Sequence, residues 1–277
     1  MEKNFNIGIV GLGYVGKAIL HGFQLENIYT YDLVEGCTED SLADLSYKSD
    51  LVFICVPTPM NKNGSCSLDI VDQVLADLDS YNNTKDVIIK STIPPGSCSN
   101  FQDKYSNLNI IFNPEFLTEA NFFQDFINQD RIILGGSNFS MVESLYEKYF
   151  PQTEIVKLKY SEAEMVKYFS NSFLALKVSF ANEINFLCNK LDIDYRTIVE
   201  AAIKDKRIGA SHLSVPGPDG KKGFGGTCLP KDLKALLTVF ENNDVESIVL
   251  QAAWERNKNI DRKKQDWKLL KGRAIVE

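Results

Sequence analysis

The sequence predicts an α/β fold: a doubly wound parallel sheet over residues 1–158, followed by an α-helical domain over residues 159–262 that is entered through one long helix. Three observations carry this prediction. Short runs rich in Val and Ile alternate with segments of helical periodicity through the first half, as βαβ units require. A glycine-rich turn joins the first such run to the first helical segment. From Ser161 about 30 residues pass without Gly or Pro, with apolar side chains recurring at helical intervals.

The first element is FNIGIV (5–10), an apolar, β-branched run that suits a buried parallel strand. It leads into Gly11-Leu12-Gly13-Tyr14-Val15-Gly16 and then the helical KAILHGF, which is GxGxxG in a strand–turn–helix setting. In that setting Gly11 permits the tight turn, Gly13 lets the backbone approach a pyrophosphate, and Gly16 allows close helix–strand packing. The phosphates belong at the helix N-terminus. A second strand, NIYTYD, ends in Asp32, where a carboxylate accepts hydrogen bonds from ribose hydroxyls and repels a 2′-phosphate. The following LVEG has no Arg or Lys to hold such a phosphate, so NAD is favoured over NADP and the sheet reads as Rossmann-like.

Further strands are expected at DLVFICVPTP (50–59), DVIIKSTIPPGS (86–97), LNIIFNPEF (108–116) and RIILGG (131–136), with helices between them such as SLDIVDQVLADLDSY from Ser67. Ligands of such sheets bind beyond the C-terminal strand ends. Val56-Pro57-Thr58, Ser91-Thr92 and Asn113-Pro114-Glu115 all fall at such ends.

In the helical half, Ser161 and Glu164 have the spacing of a capping box, and the helix's apolar length suits a dimer interface. Lys167 and Asn171, four apart, project from one face. Downstream, GFGGTCLPKD (223–232) places Pro230 where a helix starts and Cys228 at or just before its N-terminus. The dipole and Lys231 would favour a thiolate there, and Asp232 suits a first turn. A packed turn and a reactive cysteine both fit these local facts. The preceding HLSVPGPDGKK (212–222) is a turn-rich insert.

Composition removes several classes. The 277-residue chain carries net charge −7 with both signs interspersed, which argues against general nucleic-acid binding and leaves an anionic small ligand open. MEKNFNIGIV is too polar for a signal peptide, and no apolar run approaches a membrane span. Six cysteines without a CxxC pair, and only His21 and His212, make a zinc site or disulfide framework unexpected. Reduced thiols in a cytoplasmic protein are the expectation.

GLGYVG, FICVPTP, KSTIPPG, NPEFLTE, EMVKYFSNSFLALKVSFANEI and GFGGTCLPKD follow one another over residues 5–240, and together they resemble the UDP-glucose/GDP-mannose 6-dehydrogenase family. The resemblance implies two successive NAD-linked oxidations of a sugar C6 alcohol to the carboxylate, with UDP-glucose the expected substrate and a homodimer the expected assembly. Under it the Cys228 thiolate traps the aldehyde as a thiohemiacetal, a second hydride transfer leaves a thioester, and water hydrolyses it. Lys167 corresponds to the lysine that helps deprotonate the alcohol and stabilises oxyanions, and Asn171 to the amide that hydrogen-bonds the same oxygen. Thr92 and Asp232 match residues that position water, Glu115 matches the acid–base carboxylate, and Glu119 matches a glutamate near nicotinamide and substrate. Further cofactor contacts are implied at Tyr14, Val15, Val56, Pro57, Thr58, Ser91 and Lys231, and substrate contacts at Phe116, Leu117, Phe224 and Gly225. Arg207, in KDKRIG, matches an arginine that reaches the neighbouring subunit's site. The active site is then expected between the domains.

The chain also departs from the family. A third, C-terminal domain that helps clamp the nucleotide is usual, whereas here residues 263–277 form a tail ending WKLLKGRAIVE, where that domain's first strand is expected to begin. Ala120 stands where Gly is common. A β-hydroxyacid dehydrogenase shares the two-domain plan and a Lys/Asn pair four apart, but needs neither a tethering cysteine nor NPEFLTE. A catalytically silent NAD-binding or partner-binding module would need none of the catalytic set.

Overall fold

The computed structural model describes residues 4–33, 36–83 and 85–276. Strands and helices alternate as the sequence leads one to expect: β1 (Asn6–Val10), α1 (Tyr14–Gly22), β2 (Asn27–Tyr31), α2 (Leu42–Lys48), β3 (Leu51–Ile54), α3 (Asp69–Ser80), β4 (Lys85–Ile89), α4 (Ser97–Lys104), β5 (Leu108–Phe112), α5 (Phe122–Ile127), β6 (Arg131–Gly135), α6 (Ser140–Tyr149) and β7 (Glu154–Leu158). They build one seven-stranded sheet in the order β2-β1-β3-β4-β5-β6-β7.

The period-two pattern of the strands divides the core. Val52 and Ile54 of β3 join α2, α3 and α4 on one face, while Leu51 and Phe53 join α1, α5 and α6 on the other. Both faces are covered, which is why the central strands read as unbroken apolar runs.

Two details differ from a wholly parallel sheet. Strand β6 runs antiparallel to β5 and meets it only at Phe112 and Gly135. The NPEFLTE segment opens the connection, which holds only the six-residue helix α5, whereas parallel crossovers are usually built on longer helices. Strand β7, which the sequence reading did not foresee, pairs parallel to β6 at the edge. Its EIVKL carries exposed Glu154 and Lys157, the polar character that protects edges and hides such a strand from an apolar-run search.

Contacts group the residues up to Thr58 with Leu68–Lys167 as one unit, and Pro59–Ser67 with Tyr168 onward as a second. The long helix, α7 (Tyr160–Lys190), is continuous across 31 residues and contributes to both. Its start corrects the expected capping box. The helix begins at Tyr160, two residues earlier than that box requires, and Glu162 accepts the Lys159 backbone N–H at 2.9 Å. Glu164 therefore turns inward, fully buried, and accepts the backbone N–H groups of Gly96 (2.6 Å) and Cys98 (2.7 Å) at the start of α4. That helix has Gly96 as N-cap and no side-chain cap of its own, so Glu164 answers two of its orphan donors.

The second unit continues with α8 (Tyr195–Ala202), α9 (Leu229–Asn242) and α10 (Ile248–Arg256). Its core gathers Ala175 of α7, Phe224, Leu233 and Leu237 of α9, Trp254 of α10, and Trp267 and Ala274 near the end of the chain. The tail also pairs with the 59–67 segment: Met60 N donates to Ala274 O at 2.9 Å, and Val276 N to Met60 O at 3.0 Å. No helix among the described residues is long and apolar enough to cross a membrane.

Removing the Glu164 carboxylate strands two amide donors, the buried one of Cys98 and the half-buried one of Gly96. Glu164→Ala is expected to cost about 3 kcal/mol, read as a lower urea midpoint for the first unit, and Glu164→Gln about half of that. An unchanged midpoint would show that α4 is capped by other means.

Candidate functional site

The sequence between β1 and α1 must reverse the chain tightly. Gly11 does so at φ +94°, and a Cβ there would lie 2.9 Å from the Cys55 main chain. At Gly16 a Cβ would fall 2.0 Å from the Gly11 carbonyl oxygen, so turn and helix can close only on glycine. Gly13 is the N-cap, no side chain caps α1, and the space around a Cβ at Gly13 is open to 4 Å. The helix start at Tyr14 and Val15 thus offers a positive dipole end that a phosphate can approach. Asp32 ties this turn to β2, accepting Leu12 N at 2.5 Å and Leu33 N at 2.6 Å. These residues fit a dinucleotide. Val34 and Glu35, part of the LVEG segment that favours NAD over NADP, lie outside the described residues.

The strand ends are tied to one another. Thr58 Oγ1 donates to Thr92 O at 2.8 Å, and Ser91 Oγ donates to Val56 O at 2.6 Å. Pro57 between them is exposed, while Thr58, Ser91 and Thr92 are buried.

Beyond β5 lies a buried ion pair. Lys167 Nζ donates to Glu115 Oε1 at 3.0 Å and to Glu115 O at 2.5 Å, with Lys167 2% and Glu115 7% exposed. Glu115 Oε2 accepts Leu117 N at 2.7 Å, and the Phe116 ring lies 5.4 Å from the Lys167 ammonium and 4.5 Å from the Arg131 guanidinium. A second lysine, Lys90, lies close by at the end of β4, 4% exposed. Its Nζ donates to Asn113 Oδ1 at 2.7 Å. Burial holds its pKa down at about 8. Lys167 pushes the same way, and Cys55 and Glu115 oppose.

The second unit gathers another set. Cys228 is the N-cap of α9, with Pro230 in the first turn. Asp232, fully buried, accepts Asn171 Nδ2 at 2.5 Å on one oxygen and Lys231 Nζ at 2.5 Å on the other. Burial works against the Lys231 charge, but Asp232 and the nearby Cys66 and Cys228 sulfurs hold it above the ordinary lysine range. Thr227 Oγ1 and Cys228 Sγ are 3.5 Å apart.

Thus Glu115, Phe116, Leu117 and Lys167 come together in one unit, and Asn171, Cys228, Lys231 and Asp232 in the other. Other expected residues stand apart. Glu119 is exposed, and Arg207 extends into solvent against Asp205, with its guanidinium 2.6 Å from that carboxylate. The Phe224 ring is buried in the core, its main chain held both ways by Asn257, while Gly225 lies against the Arg262 guanidinium. Arg262 also binds Asp219 and the Lys222 carbonyl oxygen, which fastens the 212–222 insert. Sequence reasoning passed over Lys90, although a lysine directly after the apolar Val87-Ile88-Ile89 run was a readable sign of a paired buried charge.

Comparison with known proteins gives the family. Residues 36–152 match the model for the UDP-glucose/GDP-mannose dehydrogenase family NAD binding domain, and residues 161–259 match its central domain. A UDP-glucose 6-dehydrogenase of Rickettsia typhi is 32% identical over 91% of this chain and 67% of its own length. The chain belongs to the UDP-glucose/GDP-mannose dehydrogenase family. The enzyme of that name from Rickettsia bellii is 39% identical over 76% of this chain and 49% of its own length. This family member therefore spans about half the length of most curated relatives it matches. Among solved structures, a UDP-glucose dehydrogenase from Pyrobaculum islandicum superposes with TM-score 0.84 and 28% identity, over 97% of this chain and 71% of that one.

Lys90 titrates near 8 in the fold and near 10.5 when free. Between those values the unfolded chain binds a proton that the folded chain does not, so folding gains as pH rises; below 8 the full penalty of the buried charge is felt. From pH 8 to 9 the stability of the native chain relative to Lys90→Met should improve by about 1 kcal/mol in urea unfolding. A flat difference would mean that Lys90 titrates like an exposed lysine.

Proposed function

We propose that this family member oxidises the C6 alcohol of a nucleotide sugar to the carboxylate, with UDP-glucose the favoured substrate and Cys228 as covalent tether. The observation that carries this reading is the gathering of residues from three separate segments, the loop after β5, helix α7 and the start of α9, into two buried, hydrogen-bonded sets around Lys167 and Asp232. Such investment in buried charge is costly unless used.

Gly11, Gly13 and Gly16 with the α1 start and Asp32 would hold NAD, together with Val56, Pro57, Thr58, Ser91, Thr92 and Glu119. NAD supplies the hydride acceptor when bound. Lys167 takes the alcohol proton and its ammonium then faces the developing oxyanion, with the Asn171 amide donating to the same oxygen. Cys228 adds as thiolate to the aldehyde carbon, giving a thiohemiacetal; loss of hydride gives the thioester, and water releases the acid and the thiol. Lys231 and the α9 dipole favour that thiolate. Glu115 accepts the proton of the attacking water, while Thr92 and Asp232 orient it. Phe116, Leu117, Phe224 and Gly225 serve the sugar.

A homodimer completes the reading. Phe173, Phe180 and Leu187 recur every seventh position of α7 and are exposed, with Phe169 stacked on Phe173 at 6.3 Å between ring centres. Exposed Arg207 is free of the core to reach a second copy.

With UDP-glucose and NAD, two NADH should form per sugar, and Cys228→Ser should lose roughly 1,000-fold in turnover while still binding NAD. One NADH per sugar, or turnover that survives the substitution, would end the tether reading. Sedimentation should give a dimer that Phe173→Asp with Phe180→Asp converts to monomer; a monomeric native chain would remove the dimer.

A further inference from the structure

Lys90 has no role in the chemistry proposed above, yet it is among the most demanding groups in the first unit. A buried ammonium needs partners, and among the described residues the acceptor that Lys90 Nζ bonds is a neutral amide oxygen. That amide is unusually committed. Asn113 Oδ1 also accepts the Tyr146 hydroxyl of α6 at 2.5 Å, its Nδ2 donates to Ile133 O of β6 at 2.7 Å, and its own N–H donates to Ile89 O of β4 at 2.9 Å. Lys90 thereby clamps β4, β5, β6 and α6 at the residue from which Pro114 and Glu115 depart. The charges and titratable groups around it are Cys55 after β3, Glu115 after β5, Lys167 on α7 and the neutral Tyr146 hydroxyl on α6. Two buried lysines thus face one carboxylate, and the carboxylate is bonded to Lys167.

We infer that Lys90 is a positioning residue for the Lys167–Glu115 pair: through Asn113 it fixes the main chain that carries Glu115, and its charge opposes a second ammonium at Lys167. This rests on the reading of Lys167 as the group that takes the alcohol proton, which must be unprotonated to act. A cation held nearby, but bonded elsewhere, favours that form without competing for substrate.

The coupling is reciprocal, so it can be measured from either side. In the full chain labelled with [ε-13C]lysine, Lys167→Met should raise the Lys90 titration midpoint from about 8 by roughly half a pH unit or more. Lys90→Met should raise the Lys167 midpoint in turn. In turnover, Lys90→Met should lower kcat roughly 10-fold or more with KM changed less, and Lys90→Arg should recover most of the loss. Unmoved midpoints in folded variants would overturn the inference, including when rate is lost, because a merely structural lysine would not shift them. Should Lys90→Met fail to fold, the Lys167→Met titration carries the test alone. Shifted midpoints in a chain that releases no NADH from any nucleotide sugar would sink the oxidation reading and leave the coupling standing.

Discussion

The ion pair between Lys167 and Glu115 sets the terms for what surrounds it, because neither charge can stand alone once water is excluded. Both carboxylate oxygens are committed, one to the ammonium and one to the Leu117 amide, which fixes the loop after β5 as well as the side chain. The same loop opens the connection to β6, which holds only the short helix α5 and leads into a strand that runs antiparallel to β5.

The second unit solves a similar problem with a different centre. Asp232 is the only carboxylate of its set, and it satisfies an amide from α7 and an ammonium from its own helix. Because Lys231 also feels the sulfurs of Cys66 and Cys228, the charge state of either thiol is tied to a lysine whose position Asp232 dictates. Asp232 therefore does more than complement the dipole of α9. It sets where the positive charge next to Cys228 resides.

Much of this was legible in the sequence. GxGxxG followed by Asp32, the apolar strands and the Gly/Pro-free run from Ser161 announce themselves through periodicity and backbone need. Lys167, Asn171, Cys228 and Asp232 were picked out, but their separation into two bonded sets was not, since spacing within one element says nothing about contacts between elements. Glu164 was misread because the helix starts two residues earlier than the expected box requires, so that Glu162 takes the box position and Glu164 turns inward. Strand β7 escaped because its edge position calls for charges, and Lys90 because a single lysine in an apolar run looks like a strand boundary. Each miss has the same origin: what a polar residue does depends on a partner that lies far away in the chain.

The unbroken course of α7 has an evolutionary corollary. Lys167 and Asn171 share a face only while the spacing between them is four residues, and one inserted residue would carry Asn171 about 100° around the axis. Length variation among descendants of this chain should thus spare that turn of helix and collect instead where backbone angles are unconstrained by a ladder, as in the Gly/Pro-rich stretch before Gly223. The helix acts as a ruler, and a ruler tolerates changes of material far better than changes of scale.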